Sequence, residues 1–263
     1  MNPPIVIIGI GELASVFARA FLRSGYPVYP VTRGMSMAQE AEDLPDPQMA
    51  LVAVAEKDFT EVMQTIPARW RDRLVLMQNE LLPRDWQAYG IEAPTVISVW
   101  FEKKKGMDYN PLMPSPVYGP AADLLARSLA EIEIPCRILD TAEDLVFELV
   151  LKNVFVYTIN IAGLVLDEGT TTSILWQQHE QLTRDVAADI IVLQEAVTEK
   201  SFSRDALLEG LLKGINGDPD HKCRGRAAPG RLARAIEAAD RAGVDVPTIR
   251  DINRRLAQGS QTG

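Results

Sequence analysis

Near the start of the chain an unbroken apolar run, Ile5-Val6-Ile7-Ile8, stops at Gly9-Ile10-Gly11-Glu12-Leu13-Ala14 and leads straight into a helix-patterned segment. No other stretch limits the possible folds so much. Four consecutive apolar residues without polar alternation suit a strand covered on both faces, the interior position of a parallel sheet. Leu13, Val16, Phe17, Ala20 and Phe21 then recur at three- and four-residue spacing, which predicts a helix over 12–24 with Gly25 as its stop. Glycine at 9 permits a tight turn, glycine at 11 lets a pyrophosphate approach the backbone, and Ala14 is small enough for the helix to lie close on the sheet. Together with the free N–H groups of a helix start, this is the G-x-G-x-x-G/A fingerprint of dinucleotide binding. Gly9, Gly11, Glu12, Leu13 and Ala14 are therefore the expected cofactor contacts.

The segments that follow extend the same pattern. Strands are expected over 26–31, 50–54 and 73–77, with a helix near 59–66, an alternation that means βαβ units and a parallel sheet. A further strand is expected over 95–101, then a loop rich in Lys, Pro and Tyr up to Pro120. In that loop Lys103-Lys104-Lys105 reads as a solvated hairpin tip. A helix over 121–131 and a strand over 135–139 close the first domain. Beyond Asp140 strand signals vanish, and helical periodicity runs over 142–166, 173–200, 205–212, 231–242 and 248–256. The expected fold is α/β: a doubly wound Rossmann domain over residues 1–140, then an all-helical domain over 141–263 for substrate binding and dimerisation, with a cleft between them. Residues 258–263 read as a frayed tail.

Charge and cysteine content exclude several classes. With 27 Lys+Arg against 36 Asp+Glu, a net charge of −9, and no long basic run, the chain does not suit a phosphate polymer, so no nucleic-acid partner is expected. Cys136 and Cys223 form no CxxC, and His179 and His221 complete no ligand cluster, so neither a metal site nor a disulfide framework is expected. The opening Met1-Asn2-Pro3-Pro4 lacks the charged start and cleavage site of an export signal, which points to the cytoplasm. The most apolar stretch, Leu145 to Leu166, holds Glu148, Lys152, Asn153 and Asn160, each costly at bilayer depth; it reads as a buried helix, not a membrane span.

The residue that reads the adenosine ribose belongs at the end of the second strand. That position is Thr32-Arg33-Gly34, without an acidic residue. A guanidinium can clamp a 2′-phosphate bidentately, so the cofactor expected is NADP(H), with Thr32 and Arg33 among its contacts.

Four stretches, Gly9 to Ala14 with Arg33, Gln78-Asn79-Glu80, Lys152 to Asn160, and Ala242-Gly243-Val244-Asp245-Val246-Pro247, together resemble the ketopantoate reductase family. The likeness spans nearly the whole chain, and it implies a Rossmann domain joined to a helical domain of the 6-phosphogluconate dehydrogenase type. It also implies that Asn79 lies at the nicotinamide end, that Lys152 gives the proton to the substrate carbonyl, and that Asn160 contacts the substrate. At about 100° per residue, Lys152, Val156 and Asn160 lie near 0°, 40° and 80° on one helical stripe, with Asn153 near 100°. Asn79, Asn153, Asn160 and His221 are the candidate substrate contacts. Glu148, four residues before Lys152, offers the alternative of a helical ion pair.

Departures from the family pattern bear on the substrate. The family's Asn-Gly is Asn79-Glu80, a second helix Asn is Val156, and the carboxyl-terminal Gly-Arg, Thr-Glu signature reads Gly225-Arg226 and Ala227-Ala228-Pro229. A site without the carboxyl partner of a substrate hydroxyl does not favour ketopantoate itself. The expected activity is reduction by NADPH of a small 2-oxo acid or related carbonyl. The alternative is a catalytically impaired NADP(H)-binding regulatory or redox-sensing protein. Apolar positions Ile190, Ile191, Leu193 and Val197 suggest a homodimer.

Overall fold

The computed structural model of the protein describes residues 2–259. Its first part alternates β1 (Ile5–Ile8), α1 (Glu12–Arg23), β2 (Val28–Val31), α2 (Met37–Asp43), β3 (Met49–Val52), α3 (Glu56–Thr65), a 3-10 segment (Ala68–Arg73) and β4 (Leu74–Leu76). It continues through α4 (Pro83–Gln87), β5 (Thr95–Ile97), the hairpin of β6 (Phe101–Lys103) and β7 (Tyr109–Pro111), then β8 (Ser115–Tyr118), α5 (Ala122–Ala130) and β9 (Cys136–Ile138). Among the described residues only helices follow: α6 (Ala142–Gly163), α7 (Thr172–Gln178), α8 (Glu180–Thr198), α9 (Arg204–Gly217), α10 (Ala228–Ala242) and α11 (Pro247–Gly259). Two compact units result, one ending at Leu149 and the other beginning at Val150, inside α6.

The first unit is built on a seven-stranded sheet in the order β2-β1-β3-β4-β5-β8-β9. All neighbours are parallel except β5 and β8. The chain leaves β1 for β2 on one side and returns to β3 on the other, so a topological switch lies at the carboxyl end of β1, where open α/β sheets bind ligands. Every residue of β1, β3, β4 and β5 is buried, as both-face coverage requires. Pro30 has no N–H to give, and β2 is accordingly an edge strand. On one sheet face Val16, Phe17, Ala20 and Phe21 of α1 and Leu125 and Leu129 of α5 cover Ile5, Ile7, Leu51, Val75 and Ile97 in a single core. Each buried Phe contributes about 1.5–3 kcal/mol relative to exposure.

Between residues 95 and 120 the structure differs from the expected long strand and loop. The strand stops at Ile97 because Trp100, fully buried, turns its backbone away from the sheet: its N–H donates to Ser115 Oγ and its carbonyl accepts from Leu112 N. The hairpin then packs on α1 through Phe101, whose ring centroid lies 5.7 Å from that of Phe17. β8 carries Pro116, which masks it as a strand in the sequence. Lys104 and Lys105 are exposed, but Lys103 is not a solvated tip: its ammonium donates to the carbonyls of Lys104 and Met107 and closes the turn.

In the helical unit the expected helix over 173–200 is two helices. Thr172 N donates to His221 O and Ser173 N to Pro219 O, which ties the start of α7 to the loop after α9, and the chain turns at His179 (φ −131°, ψ 35°) before α8 begins. Ile190, Ile191 and Leu193 are buried by the chain itself and Val197 partly so, which removes the surplus apolar face that suggested a second copy. Gln258 and Gly259, expected in a frayed tail, belong to α11; the rest of that stretch, 260–263, lies outside the described residues. Helix α6 is long and apolar enough to cross a membrane, and 89% of its apolar window is buried inside the protein, the condition of a core helix. The start of α11 takes its cap from a distant helix: buried Asp189 Oδ2 accepts from Ile249 N at 2.9 Å. Replacing Asp189 with Ala leaves that buried N–H unpaired, so the variant should lose about 1–3 kcal/mol of stability in urea unfolding.

Candidate functional site

At the switch point Gly9 and Gly11 have different reasons to be glycine. Gly9 has φ +95°, and a Cβ there would stand 2.7 Å from the Ala53 carbonyl oxygen at the end of β3, so the fold itself forbids a side chain. Gly11 has φ −73°, which any residue adopts, and a Cβ there would meet nothing within 4 Å. Nothing inside this unit requires glycine at 11. The space beside it is where a pyrophosphate would need the backbone bare. Gly11 caps α1 with no side-chain hydrogen bond, so the first N–H groups of the helix face outward. Ile10 is 67% exposed alongside, an apolar surface for a ligand to cover. Leu13 is partly buried and Ala14 is buried against the sheet. Glu12 puts a carboxylate in the same first turn, balanced by Lys103 Nζ at 3.4 Å. The residues present fit a dinucleotide.

Arg33, just after β2, is 85% exposed and donates from Nη2 to Asp58 Oδ2 at 2.7 Å; Thr32 N contacts Met35 Sδ. At the end of β4, Gln78 Nε2 donates to Val52 O, and Asn79 Nδ2 donates to Glu56 Oε1 at 3.1 Å. Glu80 has φ +66°. This is the left-handed region, in which glycine would be unstrained and a glutamate costs on the order of 1 kcal/mol.

In the helical unit the structure brings Lys152 and Asn160 of α6 together with a residue that sequence reasoning missed, Arg231. Arg231 is buried on α10 and donates from Nη1 to Asn160 Oδ1 at 2.6 Å, while Asn160 Nδ2 donates to Cys223 O at 3.1 Å. The Lys152 ammonium lies 5.5 Å from the Phe155 ring centroid. Burial, and secondly the Arg231 charge, lower its pKa to about 7. Glu148 Oε1 accepts from Arg137 Nη2. Asn153 is directed elsewhere: it is 2% exposed and donates to Gln194 Oε1 at 2.9 Å in the seam with α8. His221 sits in the loop that the start of α7 holds, with Nδ1 3.4 Å from Asp218 Oδ2. Pro229 opens α10, a first-turn position that suits proline, and Arg226 is exposed. The available signal for Arg231 was a second Gly-Arg pair, Gly230-Arg231, downstream of Gly225-Arg226. Both cysteines are free thiols, and burial pushes each pKa up to about 12.

No protein-family model matches the chain, and no curated protein is similar to it in sequence. Solved structures are similar over essentially the whole length. A 2-dehydropantoate 2-reductase from Methylococcus capsulatus aligns at TM-score 0.69 with 14% identity, covering 99% of this chain and 98% of that one. D-mandelate dehydrogenase in complex with NADH aligns at 0.68 with 12% identity, covering 98% and 99%. A dimeric ketopantoate reductase from Staphylococcus aureus aligns at 0.62 with 15% identity, covering 98% and 99%. The chain therefore has the fold of the ketopantoate reductase structures, a Rossmann domain with a helical domain.

The two glycines should respond differently to substitution. Gly9→Ala should cost roughly 2 kcal/mol or more in thermal or urea unfolding, through strain and the clash with Ala53. Gly11→Ala should unfold within about 0.5 kcal/mol of the parent while dinucleotide binding, followed by nicotinamide fluorescence, weakens.

Proposed function

We propose that the protein is a nicotinamide-dependent reductase of a small 2-oxo acid, with Lys152 as the proton donor. The observation that carries this reading is the half-buried lysine near the buried Arg231, with a pKa lowered to about 7. The similarity in fold to 2-dehydropantoate 2-reductases and D-mandelate dehydrogenase supports it. When bound along Gly9–Ala14 and Arg33, a reduced nicotinamide dinucleotide supplies the hydride. Lys152 Nζ then gives its proton to the carbonyl oxygen as negative charge develops there, and the neutral amine is reprotonated from solvent. Arg231, oriented by Asn160, offers a fixed fork of N–H groups to the carboxylate of the acid. Asn79 serves the nicotinamide end, and His221 a substrate contact. The cofactor favoured by a guanidinium at 33 is NADPH, and the cytoplasm suits the free thiols.

Lys152→Ala should lower kcat by about 10²–10⁴-fold while NADPH still binds, and parental turnover in that variant would remove Lys152 as the acid. The pH profile has a defined sign. The proton-bearing form of Lys152 exists below its pKa, so kcat/KM with a 2-oxo acid should be level below about 7 and fall as pH rises above it. Tight NADPH binding without turnover across a panel of 2-oxo acids would instead mark the chain as a cofactor-sensing protein. We also propose a homodimer, as in the Staphylococcus aureus reductase; a sedimentation mass of one 29.1 kDa chain would refute it.

A further inference from the structure

Arg33 has a neighbour that its role in reading a ribose does not explain. Its guanidinium is 85% exposed, yet it is held at 2.7 Å by Asp58, whose side chain is only 27% exposed. Asp58 lies in the first turn of α3, just beyond β3, the strand that pairs with β1 on the side opposite β2. The pair thus joins the two strand ends that flank the glycine turn. An ion pair this exposed adds little to stability, about 0–1 kcal/mol, so the fold has small need of it.

Its effect on charge is larger. Asp58 offsets the single positive charge at the position from which a ribose is read. A 2′-phosphate carries roughly −1.5 to −2 charges and would have to share the Arg33 N–H groups with a carboxylate already bound to them. A free 2′-hydroxyl meets no such repulsion, and its O–H can donate to the same carboxylate. Arg33 and Asp58 therefore pull in opposite directions.

We propose that Asp58 sets the choice between nicotinamide dinucleotides, holding back the 2′-phosphorylated form that Arg33 alone would select, so that the protein accepts both NADPH and NADH. The proposal rests on the reading of the glycine turn as a dinucleotide site. Asn at 58 keeps the size and the helix-start position while removing the charge.

The test is a fluorescence titration of the full-length protein, Asp58→Asn and Arg33→Ala with NADPH and with NADH. The parent should bind the two with dissociation constants within about tenfold of each other. Asp58→Asn should tighten NADPH by about tenfold while NADH stays level or weakens up to about threefold, and Arg33→Ala should weaken NADPH alone. A parent preferring NADPH by more than about a hundredfold overturns the proposal, as does an Asp58→Asn variant whose two constants keep the parental ratio. Failure of parent and variants alike to bind either dinucleotide overturns the glycine-turn reading and this proposal with it; a parental ratio unchanged by Asn at 58 overturns only the role of Asp58.

Discussion

The first unit depends on how closely β1 and β3 run together at their carboxyl ends. The two strands pair in parallel register from Ile5 with Met49 to Ile8 with Val52, and the chain then turns at Gly9 directly against the Ala53 carbonyl. A side chain at 9 would force these strand ends apart, and with them the start of α1 and the space beside Gly11. The switch in strand order, the outward N–H groups of α1 and the two charged residues after β2 and β3 all take their positions from that contact. The apolar core under α1 and α5 supplies the stability, and the bare backbone at Gly9 fixes where the strand ends and the start of α1 lie.

The helical unit is organised around a different constraint, the cost of removing polar groups from water. Asn153 and Asn160 are both almost fully buried, and each has found a partner, Gln194 in one case and Arg231 with the Cys223 carbonyl in the other. The same burial that makes these hydrogen bonds necessary acts on Lys152, which has a charge to lose, and draws its pKa down toward neutrality. The charge of Arg231 nearby lowers the lysine further. The helical unit thus keeps two cations, one half-buried and one buried, within electrostatic reach of each other.

Much of this was legible in the residues alone. The apolar runs at 5–8 and 50–54 and the spacing of Val16, Phe17, Ala20 and Phe21 announce buried strands and an amphipathic helix, because burial on two faces or on one stripe leaves a periodic trace. The lysine run at 103–105 marked a hairpin tip, but its flanking strands and β8 left no such trace: β6 and β7 are short and half exposed, and Pro116 argues locally against a strand that tertiary pairing nonetheless forms. The break at His179 was equally invisible, for it comes from hydrogen bonds between the start of α7 and a loop far along the chain.

The candidate site divides along the same line. Sequence by itself determined the glycine turn, the strand that precedes it, the helix that carries Lys152 and Asn160, and the basic residue at 33, since each is expressed in local order and spacing. Only the tertiary structure decided that Asn153 belongs to a packing seam, that Arg33 is held by Asp58, that Glu80 sits in a left-handed conformation, and that Arg231 rather than Arg226 is the buried arginine beside Asn160. Those facts join residues distant in sequence or depend on which face of a helix loses its water. Burial and charge pairing are set by the packed chain as a whole, and no local pattern records them.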